Sequence, residues 1–406
     1  MKFMIEIIGY IFIFIVAILL LLEAIFRLIE IFSQKLSDET DFNSDLKNFF
    51  PKSYHDYIDY YSSWKSAMFN YDYTIGFRLF NSKNEMSNKF AKINSLGFRC
   101  GEFEEKKDND LVVLFSGAST AFGCGASSND KTIPYQFKNI MEKKFPKKNI
   151  KIYNLAQINN YQTQEIILLI FFLKKLKPDI VISINGWNEL IRNNFISDDA
   201  IKKYNVFNVT ELEGWEPARV TKNKKKNLLT YLYLFLEDYS ALMRGLNVIN
   251  PQLIFKRQKL MKLYRNFDEA IEVGSSLNFN NFEILNNMSK AFNFKYFSFL
   301  QPNITNKKNL TDDEKKLISY YKNYNRLFKD EDFIQKLYDL KNIYNNIYSM
   351  GKKQNYKNFF DLSSLFDNIN EDIYCTTVHL NDTGQDLLAK KIYEILNKEN
   401  IFNEYV

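Results

Sequence analysis

Residues 111–125 read LVVLFSGASTAFGCG and join an apolar run to a turn of small residues. The five apolar residues at 111–115 predict a strand that is buried on both faces. The turn GAST, residues 117–120, then leads into a helix. At the carboxyl end of a parallel strand, Ser119 would lie at the edge of the sheet, where small neighbours let a substrate carbonyl approach the backbone. Taken alone, the stretch favours a tight turn that happens to contain a serine, because Gly-x-Ser-Thr is short and common.

Length and composition predict a folded protein with a large core. The chain has 406 residues, of which 46% are hydrophobic, enough for one large domain with insertions or for two domains. Its net charge of +6 reflects 54 Lys and Arg against 48 Asp and Glu, without an arginine-rich block. This charge distribution gives little support to a nucleic-acid partner.

The cysteines and histidines narrow the possible chemistry. Three cysteines, Cys100, Cys124 and Cys375, permit one disulfide at most and exclude a cysteine scaffold. With only two histidines a histidine-rich zinc site is disfavoured, and residues 117–125 lack the spacing of a phosphate-binding loop, so we expect neither a metal nor a cofactor. His55 lies far from any predicted strand end or small-residue turn, which leaves His379 as the candidate base.

The first residues carry a strong membrane signal. Residues 7–22, IIGYIFIFIVAILLLL, contain no charge, and the apolar pattern continues to Phe32. Residues 4–24 are long enough to cross a bilayer as a helix, so we predict a single-pass anchor within residues 1–35. A cleaved signal peptide is the main alternative, but no small-residue cleavage site follows the run. The few flanking charges favour a globular part outside the cytoplasm.

Beyond residue 105, strands and helices alternate as in a parallel α/β domain. Predicted strands at 111–115, 150–155 and 179–184 are separated by helices at about 131–145 and 161–176, which implies right-handed crossovers. We predict an N-terminal extension at 36–105 and an α/β domain at 106–400. The alternation breaks between 191 and 291, which we interpret as a helical insertion.

Three predicted strand ends meet at one edge of this sheet. They carry Ser119, the stretch from Asn154 to Asn159, and Asn188 in the sequence NGWNE. The Asn188 amide could point at a developing oxyanion beside the backbone N–H of Ser119, as in acyl transfer. A turn or helix cap is the simpler role for an asparagine at this place. His379 lies in a loop before the last predicted helix, where it could act as the base.

Four stretches in this order resemble the sequence blocks of the SGNH/GDSL hydrolases, named after Ser, Gly, Asn and His. They are GAST, the stretch that begins at Asn154, GWNE and VHLNDTG, and the similarity is greatest to membrane-anchored bacterial members with a large insertion. It extends over about residues 94–396 and is weak across the insertion. The resemblance implies a three-layer, flavodoxin-like α/β fold and an acyl-ester reaction. By position it makes Ser119 the nucleophile, His379 the general base and Asn188 an oxyanion donor.

Two positions depart from the family pattern. Asn159 stands where the family has glycine, although its backbone N–H can still serve the oxyanion hole. Thr376 stands where the family has its acid, and a misplaced acid can reduce turnover on the order of 10⁴-fold. The Thr376 hydroxyl or a carbonyl could orient the base, Asp372 or Asp382 could replace the acid, or the site could bind without turnover. Among these, we favour a weakened dyad of Ser119 and His379.

The sequence is therefore compatible with three alternative functions. The first is a serine esterase that removes an acyl group, most simply acetyl, from a cell-surface glycan or lipid. The second is an O-acyltransferase that modifies a surface polysaccharide. The third is a membrane-anchored binding protein with a degenerate site.

Overall fold

A computed structural model describes most of the α/β region and the first helix of the chain. The described residues are 2–39, 71–74, 77–80, 91–158, 160–192, 240, 266–324, 347–349, 352 and 356–405. The chain divides into two compact units. One comprises residues 1–46 and 212–262, and the other comprises residues 47–211 and 263–406.

In the first unit, the residues that the structure describes are the long helix α1 (Lys2–Glu39) and Ser240. Within it, Gly9–Ile29 has a mean hydropathy of 2.8 and is not buried by other parts of the protein. Its length and composition suit a membrane span, as the sequence predicts, and a signal sequence has the same properties. Glu23, near the end of the apolar run, accepts hydrogen bonds from Arg27 Nε at 2.8 Å and from Ser240 Oγ at 2.7 Å.

The second unit is built on a five-stranded parallel sheet in the order β4-β3-β5-β6-β7. In chain order of its own strands this is 2-1-3-4-5, the order of flavodoxin-like sheets, so the predicted fold class is confirmed. A separate antiparallel pair precedes it. The strands are β1 (Tyr71–Thr74), β2 (Phe77–Phe80), β3 (Asp110–Gly117), β4 (Asn149–Asn154), β5 (Ile180–Asn185), β6 (Lys295–Leu300) and β7 (Phe359–Asp361).

Helices cover both faces of the sheet and give three layers. Successive residues of β3 alternate between the two apolar cores, with Val113 and Phe115 on one side and Val112 and Leu114 on the other. This alternation explains why the strand is apolar at every position. The remaining helices are α2 (Ser119–Phe122), α3 (Ile133–Lys144), α4 (Gln162–Leu176), α5 (Trp187–Arg192), α6 (Phe267–Phe292), α7 (Asp312–Tyr324) and α8 (Asp382–Lys398).

The two faces are covered by different helices. Apolar residues of α3 and α8 share a core with Phe115, whereas those of α4, α5 and α6 share the opposite core with Leu114. Helix α6 falls inside the range predicted for the insertion, yet it packs on the sheet and leads directly into β6. Within residues 193–265 of that range, the structure describes only Ser240. His55, in the predicted N-terminal extension, also lies outside the described residues. The predicted domain limits stay a prediction.

Two helix starts show how polar side chains near a helix N-terminus are used. Thr132 occupies the N-cap position of α3, but its hydroxyl donates to the Asn129 carbonyl and does not cap the helix. At α8 the cap is Asn381, whose Oδ1 accepts from the Gly384 N–H at 2.9 Å, and not Asp382. Only the second of these helices therefore has a side-chain cap.

Candidate active site

Ser119 is the first residue of the short helix α2, two residues after the end of strand β3, which lies between β4 and β5. The chain reverses there through Gly117, whose φ of 146° is a backbone conformation that favours glycine. A Cβ added at this position would also overlap the Ile184 carbonyl oxygen of β5. The helix ends after four residues at Gly123, which has a left-handed φ of 91°. The serine is therefore held at the carboxyl edge of the sheet, with 9% of its surface exposed.

His379 reaches this serine from the far end of the chain. Its Nε2 lies 2.8 Å from Ser119 Oγ, although 260 residues separate the two in sequence. The Thr120 hydroxyl also donates to the Val378 carbonyl at 3.2 Å, which joins the same two segments a second time. The serine and the histidine that the sequence singles out are thus neighbours within hydrogen-bonding distance.

The loop that carries His379 is braced by a buried ion pair. Lys307 Nζ and Glu314 Oε2 are 2.6 Å apart, and both side chains are fully buried. The lysine also donates to the Glu371 carbonyl at 2.8 Å, while the second Glu314 oxygen accepts from the Ile373 N–H at 3.1 Å. Two charged groups therefore tie the start of the histidine loop to helix α7. Such a pair is costly to break, because the remaining charge would stay buried without a partner.

Burial sets the protonation state of the histidine. The loss of water around the ring lowers the pKa of His379 to about 4, because the charged imidazolium loses more solvation than the neutral form. At neutral pH the ring is uncharged and can accept a proton from a hydroxyl at Nε2. A ring with so low a pKa is a correspondingly weak base.

Thr376, at the position of the family's acid, bonds the loop backbone. Its Oγ1 accepts from the backbone N–H of His379 at 3.1 Å and from that of Val378 at 3.4 Å. These bonds resemble a serine–threonine turn, in which a hydroxyl fixes the backbone two or three residues later. The hydroxyl thus shapes the loop around the histidine, and it brings no negative charge to the ring.

The two candidate replacement acids bond to other segments. The Asp372 carboxylate accepts from the Thr311 hydroxyl, and the Asp382 carboxylate accepts from Ser127 N at 2.8 Å and Ser127 Oγ at 2.5 Å. Each thereby links the histidine loop, or the helix after it, to a neighbouring loop. These contacts give both carboxylates a structural role in the described part of the chain.

The expected oxyanion donors lie at the ends of β4 and β5. Asn188 is in α5, and its Nδ2 donates to the Asn160 carbonyl at 2.8 Å. Asn159 lies outside the described residues. Asn154, which opens the same stretch, donates from Nδ2 to the Ala121 carbonyl of α2 at 3.1 Å. The asparagines of both strand ends therefore hold neighbouring backbone in place.

Arg99 is a residue near the site for which the sequence predicts no role. Its side chain is fully buried and donates from Nη1 to the Gly123 carbonyl at 2.7 Å and from Nε to Asn129 Oδ1 at 3.0 Å. It thereby fixes the turn that ends the nucleophile helix. The only sequence signal is an arginine after the Gly-Phe pair at 97–98, too short a pattern to reveal this contact.

A buried carboxyl lies beneath the same edge of the sheet. Burial, followed by the nearby Glu189 carboxylate, raises the pKa of Glu165 to about 8. Its Oε2 accepts from the hydroxyls of Ser116 at 3.0 Å and Ser183 at 2.6 Å, which are register neighbours on β3 and β5. Glu165 is therefore largely protonated at neutral pH and joins two strands under the site.

Comparisons with known proteins find similar solved structures at low sequence identity. No family model and no curated protein matches the chain. LAE5, an α/β hydrolase from the metagenome of Lake Arreo in Spain, is 10% identical with a TM-score of 0.35, over 71% of this chain and 95% of that chain. A GDSL-like lipase candidate from Parabacteroides merdae is 13% identical with a TM-score of 0.34, over 73% and 99% of the two chains.

A third similar structure is Axe2, an acetylxylan esterase from Geobacillus stearothermophilus. It is 12% identical with a TM-score of 0.33, over 70% of this chain and 94% of that chain. Similarities of this strength carry no conclusion about the activity of this chain.

Proposed function

We propose that the chain is a serine hydrolase of acyl esters, with Ser119 as the nucleophile and His379 as the general base. The observation that carries the proposal is the 2.8 Å separation of His379 Nε2 and Ser119 Oγ at the carboxyl edge of a parallel sheet. A nucleophile within hydrogen-bonding reach of a neutral base is the arrangement that acyl transfer through serine requires.

In the proposed reaction, Ser119 Oγ attacks the ester carbonyl carbon as its proton moves to His379 Nε2. The negative charge that develops on the carbonyl oxygen is stabilised by the backbone N–H of Ser119 and the amide of Asn188, with the Asn159 N–H as a further donor. The imidazolium then gives its proton to the departing alcohol, which leaves an acyl-serine. Water, deprotonated by the same histidine, releases the acid and restores the serine.

We infer that none of Thr376, Asp372 and Asp382 acts as the acid of this pair. Thr376 engages the loop backbone, and the recorded bonds of the Asp372 and Asp382 carboxylates go to Thr311 and Ser127. In triad enzymes a misplaced acid reduces turnover on the order of 10⁴-fold, so a dyad of Ser119 and His379 would be slow.

The substrate that we propose is a small acyl ester, such as acetyl, on a glycan or lipid at the membrane surface. The apolar helix Gly9–Ile29 would hold the chain at a bilayer, and we place the α/β unit outside the cytoplasm. An O-acyltransferase is the second candidate, because Ser119 is only 9% exposed and a site that restricts water favours transfer to a bound alcohol.

Fluorophosphonate labelling of membranes that contain the full chain tests the nucleophile. We expect wild type and Ser127→Ala to be labelled and Ser119→Ala not to be labelled, because Ser127 is an exposed serine that bonds to Asp382. His379→Asn should slow labelling strongly. If folded wild-type protein remains unlabelled, the proposed nucleophile is wrong and the binding-protein alternative is favoured.

Product analysis separates hydrolysis from transfer. An esterase releases acetate from p-nitrophenyl acetate at a rate that an added oligosaccharide does not change. A transferase, given the same acetyl donor, forms an acetylated oligosaccharide and releases little acetate. Either outcome should disappear in Ser119→Ala.

A further inference from the structure

Glu189 spans the two loops that carry the proposed oxyanion donors. Its Oε2 accepts from the Gly186 N–H at 3.0 Å, in the turn after β5, and its Oε1 accepts from the Gln162 N–H at 2.9 Å, where the loop after β4 enters α4. The residue is 1% exposed. One carboxylate therefore joins the ends of two strands that are not adjacent, since β3 lies between them.

The chemistry of these contacts favours a fixed geometry. Gly186 directly precedes α5 and Gln162 is the first residue of α4, so both N–H groups belong to helix starts that have no partner within their own helix. The bond to Gly186 is one half of a capping box, in which a glutamate at the third helical position reaches back to the cap. Hydrogen bonds from backbone N–H to a buried carboxylate are short and strongly directional.

Asn188, the residue before Glu189, links the same two loops a second time. Asn188 Nδ2 donates to the Asn160 carbonyl at 2.8 Å, which uses one of the two N–H bonds of its amide. The other N–H is the one available to an oxyanion. The direction of that donor depends on the distance between the two loops, which the Glu189 carboxylate also bridges.

We propose that Glu189 is a positioning residue, which aligns the Asn188 amide by holding Gly186 and Gln162 at a fixed spacing. The inference rests on the proposed function and adds to it a residue that does not touch the substrate. Donors that stabilise charge only in the transition state affect kcat more than KM, so misalignment should appear in kcat.

Glu165 provides a matched control. It is also a buried glutamate at 1% exposure, but it bonds to Ser116 and Ser183 within the strands and to neither loop backbone. Because the pKa of Glu165 is raised to about 8, glutamine closely imitates its neutral form. Glu165→Gln should therefore leave kcat within about threefold of wild type.

Gln162 offers a second variant that removes one bond without touching Glu189. Proline is well tolerated at the first helical position, where its missing N–H is not needed by the helix. The preceding residue, Tyr161, has the extended φ of −109° and ψ of 161° that proline requires before it. Gln162→Pro thus deletes the bond to Glu189 Oε1, and Gln162→Ala controls for the loss of the buried side chain.

The test is steady-state hydrolysis of p-nitrophenyl acetate by the full chain in detergent, together with a thermal melt of each variant. We expect Glu189→Gln to lower kcat about 10- to 100-fold with KM within about twofold, and Gln162→Pro to lower kcat about 10-fold at an unchanged melting temperature. Gln162→Ala and Glu165→Gln should keep their kcat.

The outcomes separate the inference from the proposed function. An active wild type with unchanged kcat in Glu189→Gln and Gln162→Pro overturns the positioning role alone. The same holds if only KM changes, or if both variants fail to fold, because the bonds would then serve stability. A wild type that neither hydrolyses the ester nor reacts with fluorophosphonate at Ser119 overturns the proposed function and the positioning role with it.

Discussion

At the scale of single residues, the environment of His379 predicts an unusual pH dependence. Burial lowers its pKa to about 4, and only the neutral ring can accept the Ser119 proton. We predict that kcat/KM falls as the pH decreases through about 4 and is flat from about 5.5 to 8, because protonation removes the base.

Initial rates of ester hydrolysis between pH 3 and 8 measure this profile. Samples returned from acid to pH 7 should recover their activity, which controls for acid denaturation. An inflection near 6.5, the ordinary pKa of histidine, would contradict a desolvated ring.

Thr376 stands at the position where the resemblance to the SGNH/GDSL hydrolases implies an acid. We predict that Thr376→Asp raises kcat about 10-fold, because a carboxylate near the ring stabilises the imidazolium that forms in the transition state. The same charge should raise the pKa of His379, so the acidic inflection should move above 4. The measurement is the pH profile of kcat for Thr376→Asp and for Thr376→Asn.

The asparagine variant is the control for shape. It offers a similar side chain without charge and can accept the same backbone bonds, so its kcat should stay near that of wild type. Equal kcat values for Thr376→Asp and Thr376→Asn would show that a carboxylate at position 376 does not affect the His379 ring.

At the scale of elements, the segment that carries Ser119 and the loop that carries His379 pack closely against each other at Gly125. This residue has a φ of 94°, and an added Cβ would overlap the Leu380 carbonyl oxygen, one residue after His379. We predict that Gly125→Ala lowers kcat at least about 100-fold, because the histidine loop must move away from Ser119. Gly101→Ala is the matched control, since its added Cβ meets no atom within 4 Å.

Hydrolysis rates and thermal melts of both glycine variants measure this effect. The control should match wild type in both assays. Full activity in Gly125→Ala would mean that the loop tolerates displacement and that the close packing has no catalytic consequence.

The elements also show which features the sequence can predict. The strands of the α/β pattern, and the placement of Ser119 and Asn188 just after strand ends and of His379 in a loop, follow from local signals such as apolar runs and small-residue turns. Arg99, and the bond of Glu189 to Gln162, escape prediction because they are contacts with backbone atoms distant in the chain, for which the neighbours in sequence give no signal.

At the scale of the whole molecule, the sheet order explains why a site forms from distant segments. The strand that precedes Ser119 is flanked by β4 and β5, so the loops after all three meet at one edge. The histidine comes from the segment before α8, whose apolar face shares a core with Phe115 and the helix α3. The geometry of the site therefore depends on completion of the α/β core.

The apolar helix Gly9–Ile29 provides the last prediction, which concerns how the chain is held in the cell. If it spans a bilayer, the chain should stay in the membrane fraction after carbonate extraction. Ile13→Lys combined with Leu20→Lys should release it, because each charge near the bilayer centre costs about 2.5–3.5 kcal/mol on insertion scales. The exposed surface substitution Lys390→Ala serves as the control and should not change fractionation. If the helix is instead a cleaved signal sequence, wild type will appear in the soluble fraction with a new N-terminus beyond the apolar run, and the anchor is then excluded.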